Sequence, residues 1–116
     1  MEAGPVFKYY DETTGKDFNF GQFNSQGELR STYRLSQRFL KMNLPMDICR
    51  EYLDRLVALI PAGKRADAKG GFEGVLANDD WPRLETFLTK ERFRESWFEA
   101  IDSAIEGIKR EVQRKT

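Results

Sequence analysis

The carboxy-terminal stretch constrains the fold more than any other part of the chain. From position 89 to 113, Phe93, Trp97, Ile101, Ala104, Ile105, Ile108 and Val112 recur every three or four residues, which is the spacing of one helix face. The pattern predicts one long helix starting at Thr89. Lys109, Arg110, Arg114 and Lys115 near its end complement the negative pole of the helix dipole. A helix this one-sided must bury its stripe against the rest of the chain. Trp97, central in the stripe, is the expected anchor.

The remaining residues predict the elements that cover it. "VFKYYDETTGKDFNF" is rich in aromatics, with Thr14-Gly15 between two runs; Gly supplies the positive φ of a short hairpin loop. Strands are expected near 6–10 and 16–20. "SQGE" at 25–28 matches a capping box, so a first helix is expected to run to about Met42. A turn at Asn43-Leu44-Pro45 follows, then a second helix over 46–60 burying Cys49, Tyr52, Leu53, Leu56, Val57 and Ile60. "PAGKRADAKGG" at 61–71 breaks the periodicity and reads as a flexible loop. "FEGVLA" reads as one helical turn, and Asp79 or Asp80 as the cap of a short helix carrying Trp81, Leu84, Phe87 and Leu88. The expected fold is a single domain over 1–116, mostly α: a hairpin at 6–20, a helical hairpin at 26–60, the loop, and carboxy-terminal helices over 79–113. The helices pack as a small bundle (α+β by strict count).

Charge and composition narrow the function. The 116 residues carry 19 basic and 19 acidic side chains, so any electrostatic partner must be recognised by a local patch rather than a global field. One cysteine excludes an internal disulfide and favours a reducing compartment. The longest apolar run is far shorter than a membrane span. The expectation is a cytoplasmic protein with no membrane partner. No histidine is present, which removes the usual general base near neutral pH and the commonest metal ligand. Cys49 sits mid-stripe and reads as core rather than nucleophile. Asp79 and Asp80 read as caps rather than an acid pair. Glu95, Glu99, Asp102 and Glu106 share a helical face, which suits a hard cation but more simply makes a solvated surface. No catalytic residue, metal or cofactor is expected.

Two features point to binding. "SQRFLKMNLPMDICREYLDRL" at 36–56 resembles a DNA-binding helix-turn-helix: Asn43 tolerates the left-handed conformation of a sharp turn, and Met42 and Leu44 flank it with apolar side chains. Phe39, four residues before the turn, is large where closely approaching helices want a small residue. The exposed positions of the second helix, Asp47, Arg50, Glu51, Asp54 and Arg55, hold more acid than base, whereas a reading helix approaches phosphates with a positive field. The basic charge instead follows the first helix, where Arg30, Arg34, Arg38 and Lys41 share one side against Glu28 alone. Lys64, Arg65 and Lys69 make a secondary basic site in the loop, although it lacks phosphate-loop spacing.

The reading is therefore a small non-catalytic interaction protein (a regulator, inhibitor or accessory subunit, of the kind phages and mobile elements carry). Its expected contact surface is Arg30, Arg34, Arg38 and Lys41. The expected partner is macromolecular, protein rather than nucleic acid, and a homodimer joining this stripe to Glu95–Glu106 of a second copy is a further option. The alternative is a nucleic-acid binder using the 36–56 hairpin or the same basic face; an enzyme using carboxylates is the third.

Overall fold

Local signals hold the first hairpin in place. A computed structural model describes residues 6–23, 26–30, 33–60, 63–67, 73–77, 82 and 91–115. Strands β1 (Val6–Asp11) and β2 (Lys16–Phe23) pair antiparallel around Asp11, which is nearly buried. Its carboxylate accepts from the Thr14 hydroxyl at 2.6 Å and the Thr14 N–H at 3.1 Å, an Asp-closed turn of the usual kind. The Gly15 N–H donates to the Asp11 carbonyl at 2.8 Å, and Gly15 takes the expected positive φ of 70°.

Further along, the ladder slips. Phe7 opposes Gly21 but Lys8 opposes Asn19, so Phe20 is the extra residue of a β-bulge. Strand side chains alternate faces, so a regular β2 would turn Phe23 away from Phe18 and Phe20. The bulge resets the alternation, and all three phenylalanines reach the core with no exposed surface. The Asn19 side chain accepts the Gly21 N–H at 2.9 Å. Glycine suits position 21 because its φ of 157° is one that other residues rarely adopt, and a Cβ would lie 2.8 Å from Leu29 Cδ1.

Leu29 belongs to the first departure from the expected fold. Strand β3 (Leu29–Arg30) pairs with Gln22 and Phe23, and helix α1 (Tyr33–Lys41) begins only afterwards. Gly27 has φ 77°, outside the helical well, so the capping-box pattern does not start a helix. Burying Leu29 beside Gly21 and completing a third strand outweighs the local helix signal, a tertiary override of a weak preference.

The α1–α2 junction forms as the sequence predicts. Asn43 has φ 54°; the Leu44 N–H reaches the Phe39 carbonyl at 3.0 Å and the Asn43 N–H the Leu40 carbonyl at 3.3 Å. These are the two bonds of a Schellman motif, whose accompanying apolar contact is supplied by the buried Phe39 and Leu44. Helix α2 (Met46–Leu59) buries Cys49, Tyr52, Leu53 and Leu56. It packs against α1 and against α3 (Glu91–Lys115). Trp97, Ala100, Ala104, Ile108 and Val112 of α3 are buried, as its stripe requires. Gly107 lets the two helices close: a Cβ there would sit 3.2 Å from Ile48.

The 61–71 stretch is not a flexible loop over its described part. Strand β4 (Gly63–Asp67) pairs antiparallel with β5 (Glu73–Ala77), from Gly63 opposite Ala77 to Asp67 opposite Glu73. "FEGVLA" is therefore strand rather than helical turn. Both strands pack on α2, and burial of Val75 is the apolar contribution that glycines and charges on either side conceal in the sequence. The fold is thus α+β, with a three-stranded sheet and a two-stranded one. Where about four were expected in the whole chain, three helices lie among the described residues. The short helix expected after Asp79-Asp80 falls outside them, apart from Pro82, whose carbonyl accepts the Leu29 N–H at 2.6 Å.

One buried polar chain ties the layers together. Trp97 Nε1 donates to the Tyr52 hydroxyl at 2.9 Å, and that hydroxyl donates to the Phe20 carbonyl at 2.6 Å. The bulged residue is where the ladder leaves a backbone group to be satisfied. Phe7 and Phe23 pack edge-on to the Trp97 ring at 4.6 and 5.9 Å between centroids. The last helix is anchored to the hairpin as expected. Among the described residues no helix is long and apolar enough to cross a membrane.

Candidate functional site

Because β3 covers only the far end of β2, the Lys16–Phe20 half has no third strand among the described residues, and α1 lies against it instead. Phe39 meets Phe18 edge-on at 5.8 Å. Arg38 Nε donates to the Asp17 carbonyl at 2.9 Å, so a guanidinium occupies the place of a neighbouring strand's N–H and blunts an open edge. The same packing opens a cleft of about 220 Å³. From α1 it is lined by Arg34, Gln37, Arg38 and Lys41, from β1 by Lys8, and from β2 by Asp17 and Asn19.

Three of the four expected contact residues therefore stay together. Arg34 and Lys41 are exposed and Arg38 is half-buried. Arg30 leaves the stripe, because it lies on β3 rather than on the helix. The residue missed in the sequence is Lys8. Alternation along β1 turns Lys8 and Tyr10 to the face opposite Phe7 and Tyr9. Its approach to α1 depends on the pairing of Lys8 with Asn19.

Charge in the cleft is unbalanced. Among the described residues Lys8, Arg34, Arg38 and Lys41 face the carboxylate of Asp17 alone, and none of the four is ion-paired. Elsewhere some cations find acids: Arg65 with Asp54 at 3.0 Å, Arg55 with Glu51 at 3.5 Å, Arg114 with Glu111 at 3.3 Å. Like charges held around one recess raise the local positive potential and attract anions. A recess between α2 and α3, about 180 Å³ over Ala100, Ala104 and Gly107, is less unbalanced: of its rim charges Glu51, Arg55 and Arg110, the first two pair with each other, leaving a surplus of one cation.

Two of the three secondary-site residues, Lys64 and Arg65, lie among the described residues. Lys64 and Arg65 stand on β4 rather than in a loop, Arg65 is engaged with Asp54, and neither lines the cleft. Lys69 lies outside the described residues, as do Asp79 and Asp80. Glu95, Glu99, Asp102 and Glu106 are exposed along α3. No group of three acidic, histidine or cysteine residues among the described ones is gathered closely enough to hold a metal ion.

Cys49 has no exposed surface, with its sulfur 3.4 Å from the Ser36 hydroxyl. Tyr52 is held above its ordinary phenol pKa by burial, against the lowering effect of the Trp97 N–H that it accepts, so it remains a neutral donor. Tyr9 is also raised, first by burial and then by the charge of Asp11, to which its hydroxyl donates at 3.3 Å.

The 36–56 hairpin has the turn of a helix-turn-helix. However, Phe39 is fully buried, and Glu51, Asp54 and Arg55 on the outer row of α2 are joined in ion pairs. No protein-family model, curated protein or solved structure matches the chain.

Proposed function

We propose that this is a non-catalytic interaction protein that binds an anionic surface of a protein partner through Lys8, Arg34, Arg38 and Lys41, as a regulator, inhibitor or accessory subunit. The observation that carries this reading is the unbalanced cleft: among the described residues, four cations from two elements surround one recess, face a single carboxylate, and are not ion-paired. Such a surface attracts and orients an acidic partner and sets the association rate. The non-catalytic part rests on the absence of histidine and the burial of the one cysteine. A protein is favoured over nucleic acid because the cations form a compact cleft rather than a track, and Lys64 and Arg65 do not extend it.

The test is capture of partners from the native host by wild type and by an Arg34→Glu/Lys41→Glu variant, with and without nuclease. Arg38 is left intact because it also holds the β2 edge. The expected result is a protein retained by wild type after nuclease and lost from the variant. Equal capture by both refutes the basic face as the contact surface, and loss on nuclease treatment moves the reading to nucleic acid.

A further inference from the structure

We infer that the cleft is a receptor for a phosphomonoester, carried on a phosphorylated side chain of the protein partner. The inference rests on the basic face being the contact surface, and it names the group that face recognises. Its first support is charge. Lys8, Arg34, Arg38 and Lys41 against Asp17 leave a surplus of three, more than one carboxylate neutralises. A phosphomonoester brings about 1.5 to 2 negative charges and three strong acceptor oxygens to a single point.

The second support is donor geometry. Arg38 is fixed by its Nε bond to the Asp17 carbonyl. Its terminal nitrogens make no other hydrogen bond among the described residues, and a guanidinium held this way is a preorganised fork for a phosphate. Asn19 and Gln37, also in the lining, add neutral amide donors for the remaining oxygens. Size is the third. About 220 Å³ admits one such group rather than a run of phosphodiesters, each of which carries only one charge.

The experiment is an NMR and calorimetric titration of the full chain with N-acetyl-phosphoserine amide, beside N-acetyl-aspartate amide and a single-stranded oligonucleotide lacking terminal phosphates. The phosphoserine probe is expected to shift Lys8, Asp17, Asn19 and the Arg34–Lys41 helix, and to saturate. An Arg34→Ala/Lys41→Ala variant should bind it at least about tenfold more weakly, the scale of losing charge-assisted bonds. An Arg38→Lys variant should also weaken it, because the charge remains but the fork is lost.

The phosphate's second ionisation, near pH 6, supplies a signature that carboxylates and phosphodiesters lack. Affinity should fall on the order of tenfold between pH 7.5 and pH 5. The fall should persist in an Asp17→Asn variant, which removes the one carboxylate lining the cleft. Equal binding of the aspartate probe, preferential binding of the oligonucleotide, absence of the pH dependence, or shifts away from the cleft would each overturn the inference. If the native complex needs Arg34 and Lys41 but survives phosphatase treatment of the partner, the phosphomonoester is wrong and the basic-face reading stands.

Discussion

Replacing Tyr52 by Phe removes one oxygen atom and breaks the polar chain through the core. In the native fold that oxygen accepts from Trp97 Nε1 at 2.9 Å and donates to the Phe20 carbonyl at 2.6 Å. The phenyl ring keeps its place, so little apolar packing is lost. The cost comes from two hydrogen bonds worth about 1 kcal/mol each, and from an indole N–H and a bulge carbonyl left without this partner, at about 1–3 kcal/mol apiece when buried. Partial relaxation makes a total of about 2–4 kcal/mol reasonable. With a urea m-value of about 2 kcal/mol/M for a domain of this size, the unfolding midpoint should fall by about 1–2 M.

The same hydroxyl predicts an alkaline signature. Its folded pKa lies above the ordinary phenol value, so above about pH 10 the unfolded chain releases a proton that the folded chain keeps. Unfolding is then favoured, and stability declines as pH rises through that range. The Tyr52→Phe variant should show a shallower decline, with Tyr9, also raised, contributing what remains. A midpoint within about 0.2 M of wild type, together with an unchanged alkaline slope, would refute the chain as a stabilising element.

Trp97→Ala removes the ring against which Phe7 and Phe23 pack and should cost about 3–5 kcal/mol in urea denaturation; a near-wild-type midpoint would contradict its burial. Cys49 should react with thiol reagents slowly in native protein and rapidly once denatured, and Cys49→Ala should cost about 1–2 kcal/mol; fast native labelling would place the thiol at the surface. Arg34→Glu/Lys41→Glu should change stability by less than about 0.5 kcal/mol, since both side chains are exposed and unpaired. A thermal or urea midpoint shifted well beyond that would show these cations to be structural.

Repeating patterns made much of the molecule legible in the sequence. The stripe from Phe93 to Val112 repeats often enough to specify a helix and its buried face, and Trp97 was identifiable as its anchor. The stripe of α2, the left-handed Asn43 and the Gly15 loop were equally local, because a period or a single strained φ is written in adjacent residues. What escaped had no period to read. Leu29 and Arg30 form a two-residue strand inside an apparent helix signal, and only the space beside Gly21 and Trp97 makes burying Leu29 there worth more than another helical turn. The β4–β5 hairpin has charges and glycines where a longer strand would alternate, so its seat on α2 decides its shape.

The cleft combines both kinds of information. Arg34, Arg38 and Lys41 fall on one side of α1 by helical spacing alone. Arg30 is displaced by a strand pairing, and Lys8 is delivered by another, at a register reset by the bulge at Phe20. The sequence by itself determined which helical cations share a face, because that follows from the rotation per residue. Only the tertiary structure decided which strand residues join them and which cations find acids, because those depend on pairings between distant segments whose energy comes from the aromatic core they enclose.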